Sequence, residues 1–331
     1  MASREEYLSR LNLQTLRGLE FGPADRPWIP PTAPGIRYID HLSTEELRKK
    51  YTGWSDYRAE DFCEIHFVND GRPLTEILGN WVDLDVVVAS HVIEHIPNLL
   101  KWLQELGSIL KPGGLLFLAA PNKRFEFDRL RRVTELVDVL SDFLDDRKRP
   151  SPRSMMDYWV HYATLNGAPS WSEEVEPKAL TLSFPLKTCF ADAKEAVESP
   201  NYKDVHVSAF TPNSFVRILH GLTVLELLPF ELVEVQAAGM EFLAMLKACE
   251  PTVDVPKRLD LLEKAEKGLP FHIDDYVSGL VLREERGSGE VNLDDAGARA
   301  ELARVKEELD RTKSSASWRL TEPLRRLRRR L

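Results

Sequence analysis

Four ionisable side chains could do chemistry together in this sequence. Three of them follow the pattern His91-x-x-Glu94-His95, and the fourth, His206, lies much further along the chain. A neutral imidazole accepts a proton near pH 7, and imidazoles with a carboxylate can also bind a divalent metal ion. The pattern also matches an inverted zinc-protease motif, but that motif requires both histidines within a helix. Here the residues lie between an apolar run and Pro97, so we exclude a peptidase.

A predicted strand–helix–strand unit surrounds this pattern. The apolar run 86–89 has the length of a strand buried on both faces. Apolar residues at three- and four-residue steps predict an amphipathic helix over 97–110, and a second buried strand follows at 115–120. Such a unit is a parallel crossover, and its sheet binds ligands beyond the carboxyl ends of the strands. We therefore expect residues 90–95 and 121–124 to line one site.

Upstream, two shorter apolar runs end in residues suited to bind a small ligand. The first contains Glu20 and leads into Gly22-Pro23, where glycine permits a ligand to approach the backbone closely. The second ends at Asp40, about 20 residues later, which is where an α/β nucleotide site binds ribose hydroxyls. The loop has neither GxGxxG nor the lysine of a P-loop, so tight phosphate binding is not indicated.

A third apolar run, 62–68, precedes Asn69-Asp70-Gly71. A carboxylate and a flexible backbone at this place could form hydrogen bonds with an adenine ring. An Asp-Gly pair is equally common as a plain turn, so the sequence leaves both interpretations open.

Taken in order, LEFGPADRP, RYIDHLS, NDG, LDVVVASHVIEHIPN and LKPGGLLFLAAPNK resemble the class I S-adenosylmethionine-dependent methyltransferases. The resemblance covers residues 16–123 and resumes at 211–247. It implies an α/β fold with a Rossmann-like seven-stranded sheet whose final pair of strands is antiparallel. It departs from the family at the glycine loop, where the usual G-x-G becomes Gly22-Pro23-Ala24.

The resemblance also implies S-adenosyl-L-methionine as the cofactor. The first loop would hold its methionine part, the second strand end its ribose and the third its adenine. The implied cofactor-binding residues are Glu20, Gly22, Pro23, Asp40, Asp70, Gly71 and Ser90.

Two chemistries remain open for the acceptor side of such a methyltransferase. In one, His91 or His206 is a general base for an acceptor hydroxyl, with Glu94 or Asp204 orienting the ring. In the other, His91, Glu94, His95 and His206 bind Mg²⁺ or Mn²⁺, which makes the hydroxyl more acidic. The second resembles the metal site of small-RNA 2′-O-methyltransferases and some quinone-precursor methyltransferases. Glu94 and His95 are also explained by merely shaping the helix start and the site wall.

The pattern after the fifth strand predicts an insertion and an extension. We expect residues 124–205 to form a substrate lid, helical in part, with a first helix over 127–144. The methyltransferase domain should then span 1–250, followed by a linker region over 251–295. Residues 296–331 are expected to form a helical, basic and amphipathic C-terminal tail.

Composition limits the remaining classes. The 331-residue chain has a net charge of −9, which disfavours nucleic acid as a partner of its main body. It shows no apolar run long enough to span a bilayer and no signal-peptide core. Cys63, Cys189 and Cys249 are widely spaced, which argues against a structural zinc site and favours a reducing compartment. We therefore expect a cytoplasmic protein.

The end of the chain has the opposite charge. Arg319–Leu331 contains six arginines and one glutamate, or about +5 by simple count. With leucines on one face, this segment suits the inner membrane face, where the protein would be peripheral, or an acidic partner. A flexible basic end with no partner explains the segment equally well.

This tail resembles those attached to enzymes of bacterial surface-glycan assembly. Such enzymes would then be partners. We therefore expect an O-methyltransferase for a sugar hydroxyl of a polysaccharide or glycan precursor. The alternatives are methylation of a small secondary metabolite and a non-catalytic scaffold that keeps the methyltransferase fold.

Overall fold

The computed structural model describes residues 4–52, 58–199 and 202–276. The strands are β1 (Gly18–Phe21), β2 (Ile36–Asp40), β3 (Phe67–Val68), β4 (Leu84–Ser90), β5 (Leu110–Pro121), β6 (Ala163–Thr164), β7 (Thr181–Leu182), β8 (Phe230–Ala238) and β9 (Glu241–Ala248). The helices are α1 (Arg4–Ser9), α2 (Thr44–Tyr51), α3 (Leu74–Leu78), α4 (Leu99–Ile109), α5 (Leu136–Leu144), α6 (Pro152–His161), α7 (Leu186–Glu198), α8 (Pro212–Val224) and α9 (Val255–Gly268).

One seven-stranded sheet carries the fold, in the order β3-β2-β1-β4-β5-β9-β8. Strands β1 to β5 pair in parallel, whereas β9 runs antiparallel to both β5 and β8. This confirms the predicted α/β, Rossmann-like class I methyltransferase sheet with its antiparallel final pair. Because β1, β2 and β4 are parallel neighbours, their carboxyl ends meet at one edge of the sheet.

Strand β4 is buried on both faces, as its uninterrupted apolar sequence predicted. Alternate residues of β4 enter two separate apolar clusters. Leu103 of α4 and Phe215 of α8 belong to one cluster, and Tyr7 of α1 and Trp28 belong to the other. Each fully buried side chain of this size contributes roughly 1.5–3 kcal/mol. The strand that leads to residues 90–95 is therefore packed on both faces of the sheet.

Two helices begin at capping residues that bind the first turn. Ser43 accepts a hydrogen bond from the backbone N–H of Glu46, whose carboxylate accepts one from the backbone N–H of Ser43. Thr211 caps α8, and Pro212 occupies its first position. These caps determine where the loop after β2 and the segment before α8 end.

Three boundaries differ from the sequence prediction. β5 begins at Leu110, and residues 112–114 bulge within this strand instead of preceding it. The predicted third strand, 62–68, is reduced to the two residues of β3. The predicted helix over 127–144 is divided into a 3₁₀ turn, Phe127–Leu130, and α5. Arg131, which lies between the two, is buried in ion pairs with Asp128 and Asp157, and leucine spacing does not reveal this.

The insertion between β5 and α8 contains α5, α6, α7 and the β6–β7 pair. It is helical in part, as predicted. Its role as a lid over the acceptor stays a prediction.

The chain continues to pack after residue 250, where the sequence predicted a linker. Residues 255–268 form α9, which packs against α8 and β8. The guanidinium of Arg258 is buried and donates hydrogen bonds to the carbonyls of Leu228, Phe230 and Pro251. Since these bonds tie α9 to the body, this part of the range is not a linker.

The remainder of the predicted linker region, 277–295, and the predicted C-terminal tail, 296–331, lie outside the described residues. Among the residues that are described, no helix is both long enough and apolar enough to cross a membrane.

Candidate functional site

Two groups of polar residues lie at the carboxyl edge of the sheet. We call the first the strand-end loops and define it by Glu20, Gly22, Asp40, Asp70 and Ser90. We call the second the histidine–carboxylate cluster, which comprises Glu94, His95, Glu126, Asp128 and His206.

Glu20 holds the loop that follows β1. Its carboxylate is buried and accepts hydrogen bonds from the backbone N–H groups of Trp28, at 2.7 Å, and Ile29, at 2.9 Å. Burial raises the pKa of Glu20 to about 7, although these two N–H groups act in the opposite direction. Because both oxygens are engaged, Glu20 shapes the loop by which a ligand would be bound.

Gly22 and Pro23 form the turn at the end of β1. Gly22 has a φ of +61°, and a Cβ added there would lie 3.1 Å from Cγ2 of Val92. Glycine is therefore favoured for its backbone conformation and for this close approach. The carbonyl of Pro23 accepts a hydrogen bond from the Arg26 N–H, which closes the next turn.

Asp40 ends β2 with its side chain largely buried. Its Oδ1 accepts a hydrogen bond from the backbone N–H of His41 and lies 2.5 Å from Nδ1 of that ring. The structure thus places the predicted ribose carboxylate at the expected strand end, beside an imidazole.

Asp70 and Gly71 follow β3 on the surface. The carboxylate of Asp70 accepts hydrogen bonds from the backbone N–H and from Nε of Arg72, and these lower its pKa. Gly71 has a φ of +88° with open space around it. This geometry is that of a self-contained turn, and the predicted contact with adenine stays a prediction.

Ser90 ends β4, and His91 follows in the left-handed region with a φ of +53°. Nε2 of His91 lies 3.1 Å from Oε2 of Glu241, and its Nδ1 lies 3.6 Å from Oε1 of Glu94. The side chain of His91 is 48% exposed. His91 therefore stands between the strand-end loops and the cluster, and faces solvent.

Glu94 and His95 lie in a 3₁₀ turn before α4. Nδ1 of His95 is 2.9 Å from Oδ1 of Asp204, which also forms an ion pair with Lys50 at 3.0 Å. Burial lowers the pKa of His95, but Asp204 and Glu94 raise it by more. Burial raises the pKa of Asp204, but His95 and Lys50 hold it well below its usual range.

His206 is buried against carboxylates that the insertion supplies. Its Nδ1 lies 2.6 Å from Oδ2 of Asp128, which accepts the hydrogen bond, and 3.7 Å from Oε1 of Glu126. Burial and the neighbouring Asp128 and Glu94 raise the pKa of Glu126 well above its usual range. Burial raises the pKa of Asp128, but Arg131 and His206 lower it by more.

Arg131 ties these segments together. Its guanidinium donates to Asp128 and Asp157, at 3.0 and 2.7 Å, and to the carbonyls of His206 and Val207. The backbone carbonyl of Glu94 in turn accepts hydrogen bonds from the N–H groups of Val207 and Ser208. Since Asp157 belongs to α6, the insertion and the segment that carries His206 form one buried ionic network.

Aromatic rings from the insertion contact His206. The rings of Phe127 and Tyr162 stack at 4.5 Å between centroids, and the ring of Phe127 lies 4.8 Å from that of His206. The ring of His95 meets that of His206 edge-on at 4.7 Å. These rings exclude water from part of the cluster.

Sequence reasoning found part of this arrangement. It singled out Glu94, His95 and His206, which the structure brings together, whereas His91 lies outside the groups of close ligand atoms. It missed Glu126 and Asp128: Asp128 fell within the helix predicted over 127–144, and Glu126 lies directly before that range. Their signal was their place within seven residues of the carboxyl end of β5.

Asp204 also differs from the prediction. It was expected to orient His91 or His206, but it contacts His95. Asp128 is the carboxylate that contacts His206.

Comparison with protein families supports the methyltransferase class. The model described as a methyltransferase domain matches residues 2–167. Among curated proteins, lovastatin diketide synthase from Aspergillus terreus is 25% identical over 185 residues, or 54% of this chain. That match covers only 7% of the synthase.

Solved structures that match this chain share little sequence with it. The CurJ carbon methyltransferase is 14% identical with a TM-score of 0.35, covering 74% of this chain and 52% of that one. The trans-methyltransferase CalH, in complex with SAH, is 18% identical with a TM-score of 0.33, covering 73% and 53%. A SAM-dependent methyltransferase from Aquifex aeolicus is 11% identical with a TM-score of 0.34, covering 74% and 89%.

Proposed function

Because the chain belongs to the methyltransferase-domain family, we propose that it methylates a hydroxyl oxygen of a sugar, using S-adenosylmethionine as the donor. The observation that carries the proposal is the junction of two residue groups at His91. The strand-end loops are suited to the donor, and the adjacent histidine–carboxylate cluster is suited to an acceptor that must lose a proton. The two therefore serve one transfer reaction.

The strand-end loops fit the donor. Gly22 leaves its backbone open where a side chain would approach Val92, and Asp40 presents a carboxylate at the end of β2. When bound, S-adenosylmethionine supplies a methyl group on a positively charged sulfur, which keeps the electron pair of the breaking C–S bond as the new O–C bond forms.

The chain's own residues then have two tasks. Asp40 would bind the ribose, and the Gly22 loop, held by Glu20, would hold the methionine part. On the acceptor side the hydroxyl proton must leave as its oxygen attacks. His206 or His91 would accept it directly, or the cluster would bind a cation that lets water accept it.

A cavity bordered by Arg131, whose guanidinium contacts Asp128 of the cluster, supports a sugar acceptor. It has a volume of about 350 Å³ and is bordered by Asp157, Ser208 and polar residues of α5 and α6, together with apolar residues that include Leu99 and Val207. Such a lining offers many donors and acceptors for hydroxyl groups. The arginine-rich tail supports the same acceptor class, since it resembles those of glycan-assembly enzymes. We extend the proposal to such partners and to a cytoplasmic site at the membrane face.

A second candidate is the methylation of a small secondary metabolite. It is favoured by the similarity to lovastatin diketide synthase, whose name specifies a diketide product. Methylation would then occur on a carbon or an oxygen of a smaller and less polar acceptor.

One experiment separates these candidates. The full chain is incubated with methyl-labelled S-adenosylmethionine and matched pairs of sugars and their deoxy analogues, beside a set of polyketide-like small molecules. Mass spectrometry then locates the label. We expect label on a sugar oxygen and none on the analogue that lacks that hydroxyl.

The opposite results are equally clear. Label on a small metabolite alone would replace the proposal with the second candidate. Calorimetry that detects no binding of S-adenosylmethionine would leave only a scaffold with a methyltransferase fold.

A further inference from the structure

Glu94 has a buried carboxylate that the described residues leave without a hydrogen bond. The residue is 1% exposed, and neither of its side-chain oxygens has a hydrogen-bond partner. The neighbouring nitrogens are those of His91 at 3.6 Å and His95 at 3.9 Å, both beyond hydrogen-bond distance. A buried carboxylate without donors is costly, so this group calls for a positively charged ligand.

Two histidines beside Glu94 are oriented as metal-ligating histidines are. Nδ1 of His95 lies 2.9 Å from Asp204, and Nδ1 of His206 lies 2.6 Å from Asp128. A carboxylate on one ring nitrogen fixes the ring and leaves Nε2 as the nitrogen for a ligand. One potential ligand atom from each of Glu94, His95 and His206 lies within 4.8 Å of the others.

We infer that Glu94, His95 and His206 bind one divalent first-row metal ion, with Asp204 and Asp128 orienting the two imidazoles. Two imidazoles and one carboxylate suit Mn²⁺, Fe²⁺ or Zn²⁺ and leave coordination positions open for an acceptor. The ion would take the acceptor hydroxyl as a further ligand and favour the loss of its proton to water. The ion's role in activating the acceptor hydroxyl rests on the proposed function, whereas the ligand set does not.

The structure changes the ligand set that the sequence predicted. His91 is half exposed, its Nε2 is turned toward Glu241, and it falls outside the group of close ligand atoms. His91 therefore supplies no ligand atom, and the carboxylates of Asp128 and Asp204 orient the two imidazoles that do. His91 is therefore the matched control for a binding experiment.

The experiment measures Mn²⁺ alone, without donor or acceptor. The full chain is stripped of metal with a chelator, and Mn²⁺ binding is followed by calorimetry and by the electron paramagnetic resonance signal of free Mn²⁺. We expect one site per chain. Glu94→Gln and His95→Gln should each weaken binding at least about tenfold, since ligand loss has large effects on such sites. His91→Gln should bind as the unaltered chain does.

Several outcomes would overturn the inference. These are absence of saturable binding of Mn²⁺ and of Zn²⁺, equal binding by Glu94→Gln, or loss of binding in His91→Gln. If Glu94→Gln does not fold, His95→Gln and Asp204→Asn give the same comparison, with circular dichroism as the check. Methyl transfer that persists after chelation would overturn the metal's role and leave the proposed function intact. Mn²⁺ binding without any methyl transfer would overturn the proposed function and leave the metal site intact.

Discussion

The strand-end loops and the histidine–carboxylate cluster are built in different ways. Each strand-end residue lies within a few positions of the strand that places it, and several satisfy their hydrogen bonds locally, as Asp70 does with Arg72. The cluster is drawn from three distant parts of the chain, 94–95, 126–128 and His206, which Arg131 and backbone hydrogen bonds hold together.

This difference has a consequence for substitution. A change in the strand-end loops should alter one binding contact, because the loop is fixed by its own strand. A change in the cluster should disturb several segments together, because His95 and His206 each contact a carboxylate from another segment. The cluster's residues should therefore couple to one another and to stability.

The largest effect is expected at Arg131. Replacement by Met leaves Asp128 and Asp157 without their buried partner and removes two hydrogen bonds to carbonyls. Removing one member of a buried ion pair costs about 3–5 kcal/mol. Urea unfolding of Arg131→Met should show this loss in the free energy of unfolding.

A matched change in the strand-end loops provides the control. Asp70→Asn removes a charge from an exposed pair with Arg72, and exposed pairs contribute little to stability. Equal losses for the two variants would refute the claim that the cluster is the interdependent region.

The next effect is expected at His206 and Asp128. His206→Asn removes the imidazole, and Asp128→Asn removes the carboxylate that orients it. Each should lower turnover about 100-fold or more, whether the imidazole acts as a base or as a metal ligand. The affinity for S-adenosylmethionine should not change, because neither residue belongs to the strand-end loops. A parallel loss of that affinity, measured by calorimetry, would show that the two regions are not separate.

A substitution at Asp40 should instead lower the affinity for S-adenosylmethionine more than it lowers turnover. A hydrogen bond to a charged group contributes about 1.5–3 kcal/mol, so Asp40→Asn should weaken S-adenosylmethionine binding about 10- to 100-fold. Turnover at saturating donor should fall much less. Calorimetry and saturation kinetics measure the two quantities, and an unchanged affinity would remove Asp40 from the donor site.

The same difference explains what the sequence revealed. The strands that carry Glu20, Asp40 and Ser90 were predictable, because uninterrupted apolar runs with short turns indicate buried parallel strands. The antiparallel order of the final two strands followed from the family resemblance. Local patterns were sufficient wherever the residue and its support are neighbours in the chain.

The supports of the cluster were not predictable in this way. Asp128 and Arg131 lie in a leucine-rich stretch that has helical spacing, yet they are buried against His206 and Asp157 from other segments. Leucine spacing indicates which face of a helix is apolar, but it does not show that a charged residue turns inward to meet a distant partner. His206 was predicted as a base or metal ligand, but its contact with Asp128 was not predicted.

The smallest effect concerns Glu20 and depends on pH. The pKa of Glu20 is raised from its ordinary value of 4.5 to about 7 by burial. Between these two values the folded chain keeps a proton that the unfolded chain releases, so the free energy of unfolding should fall as pH rises. From about pH 5.5 to about pH 7.5 the fall attributable to this group is about 2 kcal/mol. Glu20→Gln should lose one hydrogen bond at every pH but should lack this fall. The comparison is made by urea unfolding at both pH values. Parallel slopes for the two proteins would mean that the strand-end loop is not held by an ionisable buried acid.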